Sequence, residues 1–144
     1  MRFFFRRLLI PALALLPAAA LPARAADLAV TITGVRSAEG AVRVDLYADP
    51  ASFRHEDQAF KVLSIPARPG TVRVVFPGLA PGRYAVIAYH DENGNGRLDR
   101  FMGMIPEEGW GLSNDPEVLG PPAFAPSAFD LPTAGRDLSI PLHY

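Results

Sequence analysis

The sequence predicts an all-β domain, a single sandwich of about seven strands with one long loop. Three observations carry this expectation. Apolar and polar residues alternate with period two, Pro/Gly clusters recur between the alternating runs, and helical periodicity is nearly absent.

The elements follow in order. Leu28, Val30 and Ile32 alternate with Ala29, Thr31 and Thr33, which reads as a first half-buried strand. Gly34 to Gly40 carries turn residues and reads as a hairpin connection. Val42, Val44 and Leu46 then alternate with Arg43, Asp45 and Tyr47, so the second face of this strand is expected to be wet. Phe60 to Ile65 gives a shorter strand, and Val72, Val74 and Phe76 give the next. Tyr84 to Tyr89 is apolar on both faces, the mark of a strand central to its sheet. Ser127 to Leu131 and Arg136 to Leu142 complete the set, with single helical turns conceivable at 49–58 and 123–128.

That strand count and turn density fit a sandwich of immunoglobulin-like or prealbumin-like type. Leu79 to Tyr84 has the form of a tyrosine corner, in which a Tyr hydroxyl bonds back to upstream backbone. Plain core packing of Tyr84 is the competing reading. From Gly94 to Pro126 the chain is rich in Gly and Pro and lacks sustained alternation. A connection of that length is more often functional than idle.

The N-terminus reads as an export leader over residues 1–25, leaving one domain over 26–144. Arg2, Arg6 and Arg7 form a basic start, Leu8 to Leu21 is uncharged and apolar, and Ala23-Arg24-Ala25 offers small residues for cleavage before Ala26. Pro11 and Pro17 interrupt the apolar run, which falls short of the roughly 20 residues a spanning helix needs. The expected product is a periplasmic or secreted bacterial protein, not an integral membrane protein after cleavage.

There are no cysteines, so disulfides and zinc–thiolate sites are excluded. The whole chain has 15 acids and 14 bases. The leader removes four arginines (2, 6, 7 and 24), leaving 15 acids against 10 bases, a net of −5. With Lys61 the only lysine and no basic cluster, nucleic-acid binding is not expected.

The run Asp91-Glu92-Asn93-Gly94-Asn95-Gly96-Arg97-Leu98-Asp99 carries the most specific chemistry. Oxygen-bearing side chains at alternate positions, followed by a glycine and a closing carboxylate, let a short loop wrap one hard cation such as calcium (Ca2+). Asp91, Asn93 and Asn95 would offer side-chain oxygens, Arg97 its backbone carbonyl, and Asp99 a carboxylate bound directly or through water. Gly96 would supply the positive φ of the bend, and Leu98 would turn inward to pin the loop. The twelfth place, normally a bidentate Glu, is Met102, so Glu107 or Glu108 must complete the shell, Glu107 being the residue assigned. Few formal charges imply binding in the roughly 10⁻⁴–10⁻³ M range and a structural ion. An Asn-Gly hairpin turn held by its own side chains is the competing reading.

Catalysis is not expected. No G-x-S-x-G elbow or phosphate loop occurs, and His55, His90 and His143 are far apart in sequence. An enzyme would have to draw His90, Asp91 and Glu107 or Glu108 into one polar cleft. Phe101, Met102, Met104, Ile105 and Trp110 read as a plug for the open end of the sandwich, or else as a patch through which the 94–126 loop takes a protein, peptide or glycan.

Taken together, Gly82-x-Tyr84-Ala85-Val86, His90 to Asp99, Pro106-Glu107-Glu108-Gly109-Trp110-Gly111-x-Ser113-Asn114 and Gly120-Pro121-Pro122-x-Phe124 resemble the bacterial family "domain of unknown function 2141" over essentially the whole mature chain. The resemblance implies exported single-domain proteins without an assigned activity. More distantly, the loop resembles those of calcium-stabilised β-sandwich repeats, which implies Asp91, Asn93, Asn95 and Asp99 as ligands.

Overall fold

In the computed structural model, residues 25–144 are described; the expected leader, apart from Ala25, lies outside them. The described chain is all-β. Its strands are β1 (Ala26–Val35), β2 (Ala41–Tyr47), β3 (Lys61–Pro66), β4 (Gly70–Leu79), β5 (Gly82–Asp91), β6 (Arg100–Phe101), β7 (Ile105–Pro106), β8 (Trp110–Leu112), β9 (Phe129–Leu131) and β10 (Arg136–Pro141). One helical turn, α1 (Phe124–Ser127), precedes β9, and a 3-10 turn spans Glu56–Gln58. Each of the seven runs read as strands contains one. The three further strands are two or three residues long and lie in the segment that lacks alternation.

Two sheets form the body. One has the order β10-β1-β4, with β1 parallel to β10 and antiparallel to β4. The other has the order β3-β2-β5-β8, and β9 pairs with the start of β5. β5 is therefore central, which explains why both its faces are apolar. A separate two-stranded ribbon joins β6 and β7.

Residues of one parity from each sheet meet in a shared core. Leu28, Val30 and Ile32 of β1 and Val72, Val74 and Phe76 of β4 pack with Val42, Val44 and Leu46 of β2 and Val86 of β5. Period-two alternation put these side chains on one face of each strand, and burying them supplies the main stabilisation. Tyr84 serves both readings of its motif, since it is buried and its hydroxyl donates to the Ala80 carbonyl at 2.8 Å.

The second face of β2 is not wet, contrary to the reading of Arg43, Asp45 and Tyr47. Asp45 and Tyr47 are fully buried. A second apolar cluster covers that face: Tyr47, Ala85 and Ile87 from the sheet meet Phe53 from the β2–β3 connection and Leu112, Phe124 and Ala128 from the long excursion. Phe53 stands edge-on to Tyr47 and to Phe124, with centroids 5.2 and 5.7 Å apart.

Polar ties fix the base of the excursion. Ser113 is buried, its Oγ accepting from the Val86 N–H at 2.9 Å and donating to the Ser127 carbonyl at 2.5 Å. The Asn114 amide donates to the carbonyls of Pro126 (3.2 Å) and Ala128 (2.9 Å). Among the described residues no helix is long and apolar enough to cross a membrane.

Candidate cation-binding loop

The loop begins where β5 ends, and its first residue is fixed by a close backbone approach. The Gly34 to Gly40 connection is not the hairpin expected, since β1 and β2 lie in different sheets and it crosses between them. Gly40, at its end with φ +63°, leaves so little room that a Cβ there would lie 1.9 Å from the Asp91 carbonyl oxygen. Only glycine serves at that point.

Asp91, at 4 % exposure, points its carboxylate into the loop. Its Oδ1 accepts from the Asn95 N–H at 3.0 Å and its Oδ2 from the Gly96 N–H at 2.8 Å. Asn93 Oδ1 also accepts from the Asn95 N–H, and Asn95 Oδ1 from the Arg97 N–H, each at 3.0 Å. These side-chain-to-backbone bonds curl the chain, with Gly96 at φ +78° making the bend. Asp99 closes the ring: its Oδ2 accepts from Asn93 Nδ2 at 2.6 Å and Asn95 Nδ2 at 2.8 Å. Those two amide bonds, aided by Arg97, hold the Asp99 carboxyl below its usual range.

Residues 91, 93, 95 and 99 are thus joined by hydrogen bonds. Arg97 donates its N–H within the ring, and its largely exposed guanidinium lies beside the loop, Nε 3.6 Å from Asp99 Oδ1. Leu98 is buried, as its place in the motif suggested.

The two glutamates after the loop part company. Glu107 is exposed, and its backbone N–H bonds the Asp99 carbonyl at 2.9 Å. Glu108 is buried and bridges both ends of the loop, with Oε1 accepting from the Glu92 N–H at 3.0 Å and Oε2 from the Asp99 N–H at 3.1 Å. Burial raises the Glu108 carboxyl above its ordinary value, its two backbone bonds oppose this, and the nearby Asp99 and Asp91 charges add to the rise. Of the two glutamates, the one whose carboxylate faces the loop is Glu108 and not Glu107.

Glu56 is a further anchor that the spacing could not reveal. From the 3-10 turn, its Oε1 accepts from the Leu98 N–H at 3.2 Å and lies 3.6 Å from an Arg100 guanidinium nitrogen. The Tyr89 hydroxyl donates toward both Glu56 Oε2 (3.4 Å) and the Gly96 carbonyl (3.2 Å).

Hard-cation chemistry suits this donor set of carboxylate and carboxamide oxygens. As arranged, the Asn93 and Asn95 NH2 groups supply the positive poles that Asp99 faces, so an ion would have to displace them. Among the described residues no group of three or more His, Cys, Asp or Glu side chains forms a metal cluster.

The polar cleft an enzyme would need is not assembled around His90. That ring is fully buried, with Nδ1 3.0 Å from the Tyr144 hydroxyl and Nε2 2.8 Å from the Glu39 carbonyl. Both nitrogens are engaged, and Asp91 leaves the strand toward the opposite face. His143 instead meets Asp115 at 2.8 Å on an exposed edge. Nor do the apolar residues plug an end of the sheets: Phe101, Met102, Met104 and Ile105 are exposed on the β6–β7 ribbon, and only Trp110 packs against the second cluster.

A bacterial family described as "uncharacterized protein conserved in bacteria", domain of unknown function 2141, matches residues 30–139, and the chain belongs to it. No curated protein matches the chain, and no solved structure does.

Proposed function

We propose that this is an exported, non-enzymatic β-sandwich of immunoglobulin-like or prealbumin-like type, periplasmic or secreted, whose long 94–126 excursion is stabilised by calcium and serves as a binding or structural module of the envelope. The sandwich reading rests on two sheets sharing one core. The engagement of both His90 nitrogens argues for a structural rather than a catalytic role of the strand end.

One observation carries the calcium reading. The residues nominated by alternate spacing are joined by hydrogen bonds at the end of β5, and a further carboxylate, Glu108, accepts from the backbone at both ends of the same loop. Asp91, Asp99 and Glu108 concentrate negative charge there, with Arg97 as the cation beside Asp99. A divalent ion relieves that repulsion and binds the folded state alone, so it adds stability by mass action. For a dissociation constant of roughly 10⁻⁴–10⁻³ M, 10 mM calcium adds about 1.4–2.7 kcal/mol, a rise in Tm of roughly 5–10 °C for a domain of this size. Thermal melts of wild type and Asp91→Ala at increasing calcium test it. Loss of the rise in Asp91→Ala is expected; an equal rise in both proteins, or none in wild type, rejects the ion.

A further inference from the structure

The excursion and the Arg54 turn enclose a cavity of about 470 Å³ over the outer face of the five-stranded sheet. Ile87 of β5 forms part of its floor, and Leu98, Met104, Trp110 and Val118 line it with several prolines. Its size falls within the roughly 300–1,000 Å³ typical of small-molecule sites.

The charges at this cavity oppose those of the domain. The mature chain carries a net −5. Yet among the described residues the only charged ones lining the cavity are two arginines, Arg54 and Arg100, with no carboxylate beside them in the lining. Arg100 is positioned by its bond to the Leu98 carbonyl (3.2 Å) and by Glu56 at 3.6 Å. Arg54 takes part in no ion pair or hydrogen bond among the described side chains, and its backbone adopts φ 73°, a left-handed conformation that a non-glycine residue pays to hold.

An apolar chamber with two arginines in its lining selects for a particular chemistry. The hydrocarbon-like lining favours an apolar body through buried area. The guanidinium forks match a carboxylate or sulfonate, and such charge-assisted bonds are roughly twice as strong as neutral ones. An ammonium head would face like charge instead.

We propose that this cavity binds a small amphipathic acid, its apolar body between the sheet and the excursion and its anionic head on Arg54 and Arg100. The assignment deepens the reading of the 94–126 segment as a binding element and rests on that reading, but it does not depend on calcium. Leu98 and Arg100 flank Asp99, so an ordered loop sets one wall of the chamber.

Calorimetric titration of the purified protein tests it. The probes are dodecanoate and 1-naphthoate, which separate a chain from a ring as the apolar body, each below any micelle-forming concentration. Dodecyltrimethylammonium and dodecanol serve as charge controls. Saturable one-to-one binding of at least one acid is expected, at least tenfold tighter than the ammonium. Arg54→Glu, an exposed change expected to leave Tm within a few degrees, weakens the acid at least tenfold and strengthens the ammonium. The proposal is overturned if neither acid saturates, if acid and ammonium bind alike, or if Arg54→Glu binds the acid as wild type does. Acids that fail to bind while the calcium-dependent Tm rise persists remove the cavity assignment alone. A missing rise with the acid still bound removes the calcium reading alone.

Discussion

The two sheets of this molecule use the same alternating pattern to opposite ends. In β10-β1-β4, the face away from the core meets solvent: Arg73 reaches across to Asp137 at 2.7 Å and to Thr31 at 3.2 Å, and Val75 is 44 % exposed. In the sheet built on β2 and β5, the corresponding face lies under a second layer of loops, where Asp45, Tyr47 and Tyr89 are fully buried. Alternation therefore tells which side chains share a face. It does not tell whether something covers that face.

The covered face also carries costs the wet one lacks. Among the described residues Asp45 Oδ2 and the Tyr47 hydroxyl find no hydrogen-bond partner, and a buried polar atom left unpaired opposes folding. Burial pushes the Asp45 carboxyl up to about 7, Arg43 at 3.3 Å opposes the rise, and the Glu56 charge adds to it.

The sharpest way to break this comparison is to strip the cover. Phe53→Ala removes the ring that stands between Tyr47 and Phe124, and a loss of about 3–5 kcal/mol is expected by chemical denaturation. A loss below about 1 kcal/mol would mean the outer layer packs only loosely.

Next in size is the pH response of Asp45. A carboxyl raised in the fold holds a proton that the unfolded chain has released, so stability falls as pH rises from about 4 to about 7 and stays low above that. Asp45→Asn keeps the shape without the charge. Its stability is expected to match wild type near pH 4 and to exceed it at pH 8 by on the order of 2–4 kcal/mol. Parallel pH profiles for the two proteins would show that Asp45 is ionised without cost.

Smallest is the control on the wet sheet. Arg73→Ala breaks an ion pair whose partners are both exposed, and a change within about 0.5 kcal/mol is expected in the same denaturation assay. A larger loss would show that this face, too, is more than a solvated surface.

Much of the body was legible because period two is a strong local signal: the runs at Leu28, Val42, Val72 and Tyr84 each form a strand, and the doubly apolar β5 lies at the centre of its sheet. The loop was legible because its hydrogen bonds span at most six residues, so spacing alone relates Asp91, Asn93, Asn95 and Asp99. What escaped depends on distant chain. The burial of Asp45 needs Phe53 and Phe124 to arrive overhead, and no property of β2 announces them. The anchoring Glu56 lies 42 positions from Leu98. That Glu108 faces the loop and Glu107 does not turns on which of two neighbours points inward, which their adjacent positions do not reveal. The apolar ribbon at Phe101–Ile105 reads as a plug by composition, yet Phe101, Met102, Met104 and Ile105 are exposed.

The strand order β10-β1-β4 has a kinetic corollary. β1 sits between partners nearly fifty and more than a hundred positions away, as Leu28 pairs with both Phe76 and Arg136. Loops that long must close before their contacts repay the lost chain entropy, which places assembly toward the millisecond-to-second end of small-domain folding. Until β10 docks, one side of the opening strand offers a row of bare amide and carbonyl groups to any neighbouring chain, so the final strand acts as the latch that shuts off mispairing.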